Sequence, residues 1–150
     1  MKLDPFEQKI IEKMQPGVLS LNGFLGNDDR HLHEVIEDDF NKLKSLNKSQ
    51  AEIAERLEYF TQKSKDIIED YIIIDGKYQV SQEIWRGLII CPFNHKGTFK
   101  KATIKLLNLE NKLEIQWTPL NIHMIKEHCF FEGKGSHFRY EPECIIKAIF

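Results

Sequence analysis

A chain of 150 residues, 41% hydrophobic and with ten Phe, is long enough to bury one core and too aromatic to be disordered. A net charge of −2 falls short of the strong basic excess common in nucleic-acid binders. The charge is uneven, however. Residues 1–87 hold 12 Lys+Arg and 17 Asp+Glu, while residues 88–150 hold 9 and 6, which reads as a solvated surface with a mild dipole or, more sharply, as a weakly basic C-terminal face for an anionic partner.

No apolar run approaches the ~20 residues that a membrane helix requires. The opening Met1-Lys2-Leu3-Asp4-Pro5, followed by Glu7, Lys9 and Glu12, lacks the apolar stretch of a signal peptide. Cys91, Cys129 and Cys144 are odd in number and form no tight framework, which suggests a reducing, cytoplasmic setting.

In chain order, Phe6, Ile10, Ile11 and Met14 fit one face of a helix that Pro16-Gly17 ends. Gly23-Phe24-Leu25-Gly26-Asn27 reads as a turn-rich linker. Asp28 or Asp29 can cap a second helix, with Leu32, Val35, Ile36, Phe40 and Leu43 at helical spacing. Ser49-Gln50-Ala51-Glu52 is a capping box. It opens a third helix with Ile53, Leu57, Phe60, Ser64, Ile67 and Ile68 along its stripe. The short loop between these helices predicts an antiparallel helical hairpin.

The period changes at Tyr71. Tyr71-Ile72-Ile73-Ile74, Asp75-Gly76 and Lys77-Tyr78-Gln79-Val80 make the strongest β-hairpin signal in the chain. Leu88-Ile89-Ile90 reads as a buried strand leading into Cys91. A second hairpin pairs Thr103–Leu106 with Leu113–Trp117 around Glu110-Asn111. Thr118-Pro119 caps and opens a helix bearing histidines, Gly133-Lys134-Gly135 is loop, and Pro142 opens a last helix carrying Ile145, Ile146 and Ile149. The expected fold is α+β in one domain, residues 1–150. A mainly helical part (1–70), with its helical hairpin, packs on a β-hairpin-rich part (71–150).

Two clusters carry metal-ligand chemistry: Cys91-Pro92-Phe93-Asn94-His95 in a turn, and His123-Met124-Ile125-Lys126-Glu127-His128 on a helix. Zinc takes Cys sulfur and His nitrogen in a tetrahedron. Pro92 stiffens the turn and Gly97 can supply a positive φ after it. Cys91, His95, His123 and His128 are therefore the candidate metal ligands, and zinc the candidate ion. Positions i and i+5 on a regular helix stand about 140° apart, so His123 and His128 converge only if the helix loosens in its last turn. Ile122, Ile125 and Cys129 form that helix's core-facing stripe. A closed four-ligand shell would make the metal structural. The plain alternative is that Cys91 is a small buried hydrophobe and the histidines are ordinary residues at the core edge.

The order knuckle, hairpin, helix over residues 88–130 resembles the treble-clef and two-Cys, two-His zinc fingers, with His95 in the second ligand place. It departs from them in having three His and a longer hairpin. The whole chain also resembles a group of small bacterial proteins of unassigned activity, through Gly23-Phe24-Leu25-Gly26 and His123–His128.

Other motifs carry less. Opening one zinc position would make Glu127 a candidate base beside His123 and His128, as in a zinc-dependent hydrolase or nuclease. The string is not the i, i+4 histidine pair of the helical proteases. His137, Lys134 and Arg139 could face a phosphate, although the glycines near them serve chiefly to turn the chain. His31, His33, Glu34, Glu37, Asp38 and Asp39 read as the solvated face of the second helix, not as a second metal site. The expected function is a non-catalytic, zinc-stabilised interaction or regulatory module, with a protein or nucleic acid as partner and no membrane role.

Overall fold

The computed structural model describes residues 4–67 and 69–150. Ile68, assigned above to a helical stripe, and Met1–Leu3 of the opening segment lie outside the described residues. The fold is α+β. Its elements are α1 (Pro5–Lys13), α2 (Leu32–Ser45), α3 (Gln50–Ser64), β1 (Ile72–Ile74), β2 (Tyr78–Ile90), β3 (Thr98–Asn108), β4 (Glu114–Trp117), α4 (Pro119–His128) and α5 (Pro142–Ile149). The strands form one antiparallel meander in the order β1-β2-β3-β4.

Local chemistry sets most boundaries. The Ser49 hydroxyl accepts from the Glu52 amide while the Glu52 carboxylate accepts from the Ser49 amide, closing a capping box on α3. Thr118 and Asn121 do the same for α4, with Pro119 at its first position. Asp75 and Gly76 both adopt positive φ, and the Lys77 amide donates to the Ile74 carbonyl to turn β1 into β2.

Four local expectations are corrected. Asp28 does not cap α2, whose N-cap is His31 with no side-chain bond; Asp28 is instead held by Arg30 at 2.6 Å. Phe6 and Phe40 are exposed, because α1 and α2 each bury a narrower stripe than their apolar pattern suggests. Ile67 lies beyond α3, which ends at Ser64. Leu88 and Ile90 are in a strand but stand 60% and 44% exposed. They belong to the far end of a long two-stranded ribbon, and a register shift between Ile84 and Leu88 bends β2 there.

Two hydrophobic clusters flank α4. One gathers Leu43, Ile53, Leu57 and Phe60 with Val80, Ile104, Leu106, Ile122 and Ile125. The other gathers Ile10, Met14, Phe24, Val35, Cys91, Leu120, Met124 and Phe130. The helix therefore buries two faces, and its histidines lie at the seam. Leu43 of α2 shares a cluster with Ile53 and Ala54 of α3, yet the main helical neighbour of α3 is α4 and that of α2 is α5. The N-terminal helices thus pack on the C-terminal part, α3 chiefly on α4 and α2 on α5.

The presumed linker around Gly23–Asn27 is also structural. The Gly133 amide donates to the Phe24 carbonyl and the Asn27 amide to the Lys134 carbonyl, both at 2.9 Å. A Cβ on Gly133 would stand 2.3 Å from the Leu25 carbonyl oxygen, and one on Gly26 2.4 Å from that of Lys134. Two glycine loops, more than 100 residues apart in the chain, are clasped together.

Candidate metal centre

The turn between β2 and β3 presents Cys91. Asn94 (φ 60°) and Gly97 (φ 114°) both take left-handed conformations that double the backbone back. The Phe93 and His95 amides point at the Cys91 sulfur, an arrangement that favours a thiolate, although burial pushes the thiol pKa up. Lys13 of α1 bonds Asn94 and ties the turn to the first helix.

Helix α4 supplies the other side chains. The Cys91 Sγ lies 3.6 Å from His128 Nε2. One ligand atom each from Cys91, His123 and His128 lies within 4.8 Å of the other two, close enough to hold a metal ion. A tetrahedral ion with bonds of about 2.3 Å to sulfur and 2.0 Å to nitrogen separates the sulfur from a ligating nitrogen by about 3.5 Å, close to the observed distance. The donor set therefore suits such an ion in chemistry and spacing.

The helix does not loosen to bring its histidines together. It is α-helical through His128, and the Cys129 amide still bonds the Ile125 carbonyl at 3.1 Å. The two imidazoles meet by side-chain reach, with ring centroids 5.4 Å apart. The break comes one residue later, where Cys129 turns left-handed (φ 51°) and closes the helix. Phe93 stacks on His128 at 4.1 Å, and Phe99 packs on His123 at 4.6 Å, so both rings are held from the β2–β3 ribbon.

His95 stands beside this group and outside it. Its Nδ1 is 2.9 Å from His123 Nε2, a hydrogen-bond distance, and its ring centroid is 5.3 Å from that of His128. Burial, then the neighbouring rings, lower the pKa of His123 and bring that of His128 to about 4. Both imidazoles are neutral near pH 7, the form that ligates metal. Glu127, the candidate base, is exposed at the end of α4.

The chain matches no protein-family model, and neither a curated protein nor a solved structure shows significant similarity to it.

The remaining sequence candidates resolve differently. Arg139 does not face a phosphate. It is buried and grips the buried Asp39 carboxylate at 2.5 and 2.9 Å, with Glu141 at 3.2 Å. Asp39 is accordingly not part of a solvated helix face. Asp38 pairs with Arg30, and His33 with Glu7. His137 is exposed, with its Nε2 3.2 Å from Gln116 Nε2. Among the described residues, no helix is long and apolar enough to cross a membrane.

Sequence reasoning missed Glu132. It is 2% exposed, adopts φ 67°, and burial raises its pKa to about 7. The available signal was an acid set between Phe130-Phe131 and Gly133, where an apolar pair draws the chain inward and a glycine permits close approach.

Proposed function

We propose that this protein is a zinc-stabilised, non-catalytic interaction module whose partner is nucleic acid. Cys91, His123 and His128 bind the ion, and His95 turns inward as the fourth ligand. The observation that carries this reading is the convergence of sulfur and imidazole nitrogens from a turn and a helix 37 residues apart in the chain, at a separation suited to one tetrahedral ion. Such an ion fastens the tip of the β2–β3 ribbon to α4.

Charge supports the choice of partner. Residues 84–109 contain five cations (Arg86, Lys96, Lys100, Lys101 and Lys105) and no Asp or Glu, in a chain whose net charge is −2. Trp85 stands half-exposed on the same ribbon. Among the described residues, Arg86, Lys96, Lys100 and Lys101 have no carboxylate within ion-pair distance. Cations interleaved with an exposed aromatic suit phosphates and stacked bases.

The test combines zinc quantification with titration of a single-stranded oligonucleotide. The reading expects about one zinc per chain, and an affinity that falls steeply with salt and weakens in Arg86→Ala with Lys96→Ala. Protein never exposed to chelator that lacks zinc, or binding indifferent to salt, removes it. A second reading, a zinc-dependent hydrolase or nuclease using His123, Glu127 and His128, draws on the exclusion of His95 from the three-residue group. It requires turnover that is lost in Glu127→Gln.

A further inference from the structure

A second site lies in a cavity of about 270 Å3 away from the metal group. Its walls include Phe24, Trp85, Leu120 and Phe138, and the carboxyl-bearing residue lining it is Glu132. The carboxyl group is oriented. The Asn121 side-chain amide donates to Oε2 and the Ser136 hydroxyl to Oε1, each at 2.5 Å. No cation among the described residues pairs with it. A carboxylate offers about four lone-pair positions, so each oxygen keeps capacity for one more donor.

The local backbone is built for this placement. Glu132 is in the left-handed region, which a glutamate adopts at a cost. Gly133, its neighbour, is pressed against the Leu25 carbonyl and cannot accept a Cβ without displacement. A buried acid, held in a strained conformation by two clasped loops at the edge of an apolar cavity, has the form of a ligand-binding group.

The charges select the ligand. Two remaining acceptor positions suit two adjacent N–H donors on one edge of a ligand. A guanidinium or amidine would offer these, but the exposed residues lining the cavity include Lys100 and Lys101, which repel a cationic ligand and attract an anionic one. A planar heterocycle with an imino and an amino N–H side by side, and a phosphate at its other end, meets both demands.

The geometry points to a guanine-nucleotide pocket, with the base between Phe24, Trp85 and Phe138, its Watson–Crick edge on Glu132, and its phosphate on Lys100, which shares a strand face with the cavity-lining Ala102. The choice of a nucleotide rests on the nucleic-acid reading above; the cavity does not depend on the metal. In a longer strand the pocket would hold one unstacked guanine, read by its edge and by stacking.

Calorimetric titration of the full chain with GMP, AMP and guanosine at low ionic strength tests the assignment. Saturable GMP binding is expected, with AMP about tenfold or more weaker because it leaves the buried acceptors unmatched. Guanosine, lacking the phosphate, binds more weakly than GMP. Glu132→Gln abolishes the preference for GMP over AMP. Leu21→Glu alters a side chain 85% exposed that also lines the cavity; it leaves the fold intact and weakens GMP more than guanosine. Absence of saturable GMP binding overturns the assignment, as does GMP binding unchanged in both variants. An oligothymidylate separates the two readings. Salt-dependent binding of that strand without GMP binding removes the pocket and keeps the nucleic-acid surface; GMP binding without it keeps the pocket and removes the surface.

Discussion

The Cys91 sulfur and the His128 Nε2 stand 3.6 Å apart across 37 residues of chain. If an ion joins them, its binding energy is folding energy, on the order of 10–16 kcal/mol for structural zinc. Cys91→Ala combined with His123→Ala is expected to release the metal and unfold the C-terminal half. His95→Ala should weaken zinc yet retain it, since His95 stands outside the three-residue group. Chelator competition followed by circular dichroism ranks the variants. Equal loss from His95→Ala and His123→Ala would contradict that order.

The same site has a predictable response to acid. The folded-state pKa of His128 is about 4, below the ordinary 6.5, and that of His123 is also lowered. The unfolded chain therefore binds more protons between these values, so the neutral rings contribute stability that is lost as pH falls from about 6.5 toward 4. Metal binding, which needs the neutral rings, should be lost over the same direction of pH. Zinc release followed with a chromophoric chelator from pH 8 to pH 4 checks this; retention of the ion at pH 4 would oppose it.

Glu132 carries the opposite sign. Its folded-state pKa is raised to about 7 from 4.5, so the folded protein favours the protonated acid. As pH climbs from 4.5 to 7 the unfolded chain loses that proton first, and stability falls by about 3 kcal/mol before levelling. Glu132→Gln keeps the shape without the charge. Urea unfolding should find the variant more stable than the parent at pH 8 and nearly equal at pH 5. A constant difference between the two pH values would refute the account.

Asp39 and Arg139 form a buried pair, 100 residues apart, with Arg139 donating twice to the carboxylate. Arg139→Met leaves the buried Asp39 carboxylate without its cation, at a cost of about 3–5 kcal/mol. Asp39→Ala should cost less, because Arg139 keeps the Glu141 carboxylate at 3.2 Å. The double variant should recover a large part of the loss, and a double-mutant cycle in urea measures the coupling. Additive losses would show that the two side chains act independently.

Much of the local structure was legible because its causes are local. The capping boxes at Ser49 and Thr118, the Asp75-Gly76 turn and the helical opening at Pro142 each depend on residues within a few positions. The grouping of Cys91, His123 and His128 was open to a sequence reading for a similar reason, since sulfur and imidazole are conspicuous and the turn and helix that carry them are short-range features; His95, read as a fourth ligand, lies outside the group.

What the amino-acid order determined alone is the five helices, the α+β class and the candidate ligands, but not that Tyr78–Val80 and Leu88–Ile90 belong to one long strand. What only the tertiary structure decided is which groups meet. Burial of Arg139 on Asp39, exposure of Leu88 and Ile90, the clasp of two glycine loops and the buried acid at Glu132 all depend on contacts between distant segments. Periodicity records which face of an element is apolar. It does not record what covers that face, and solvent exclusion by a distant segment is what sets a side chain's charge, partners and chemistry.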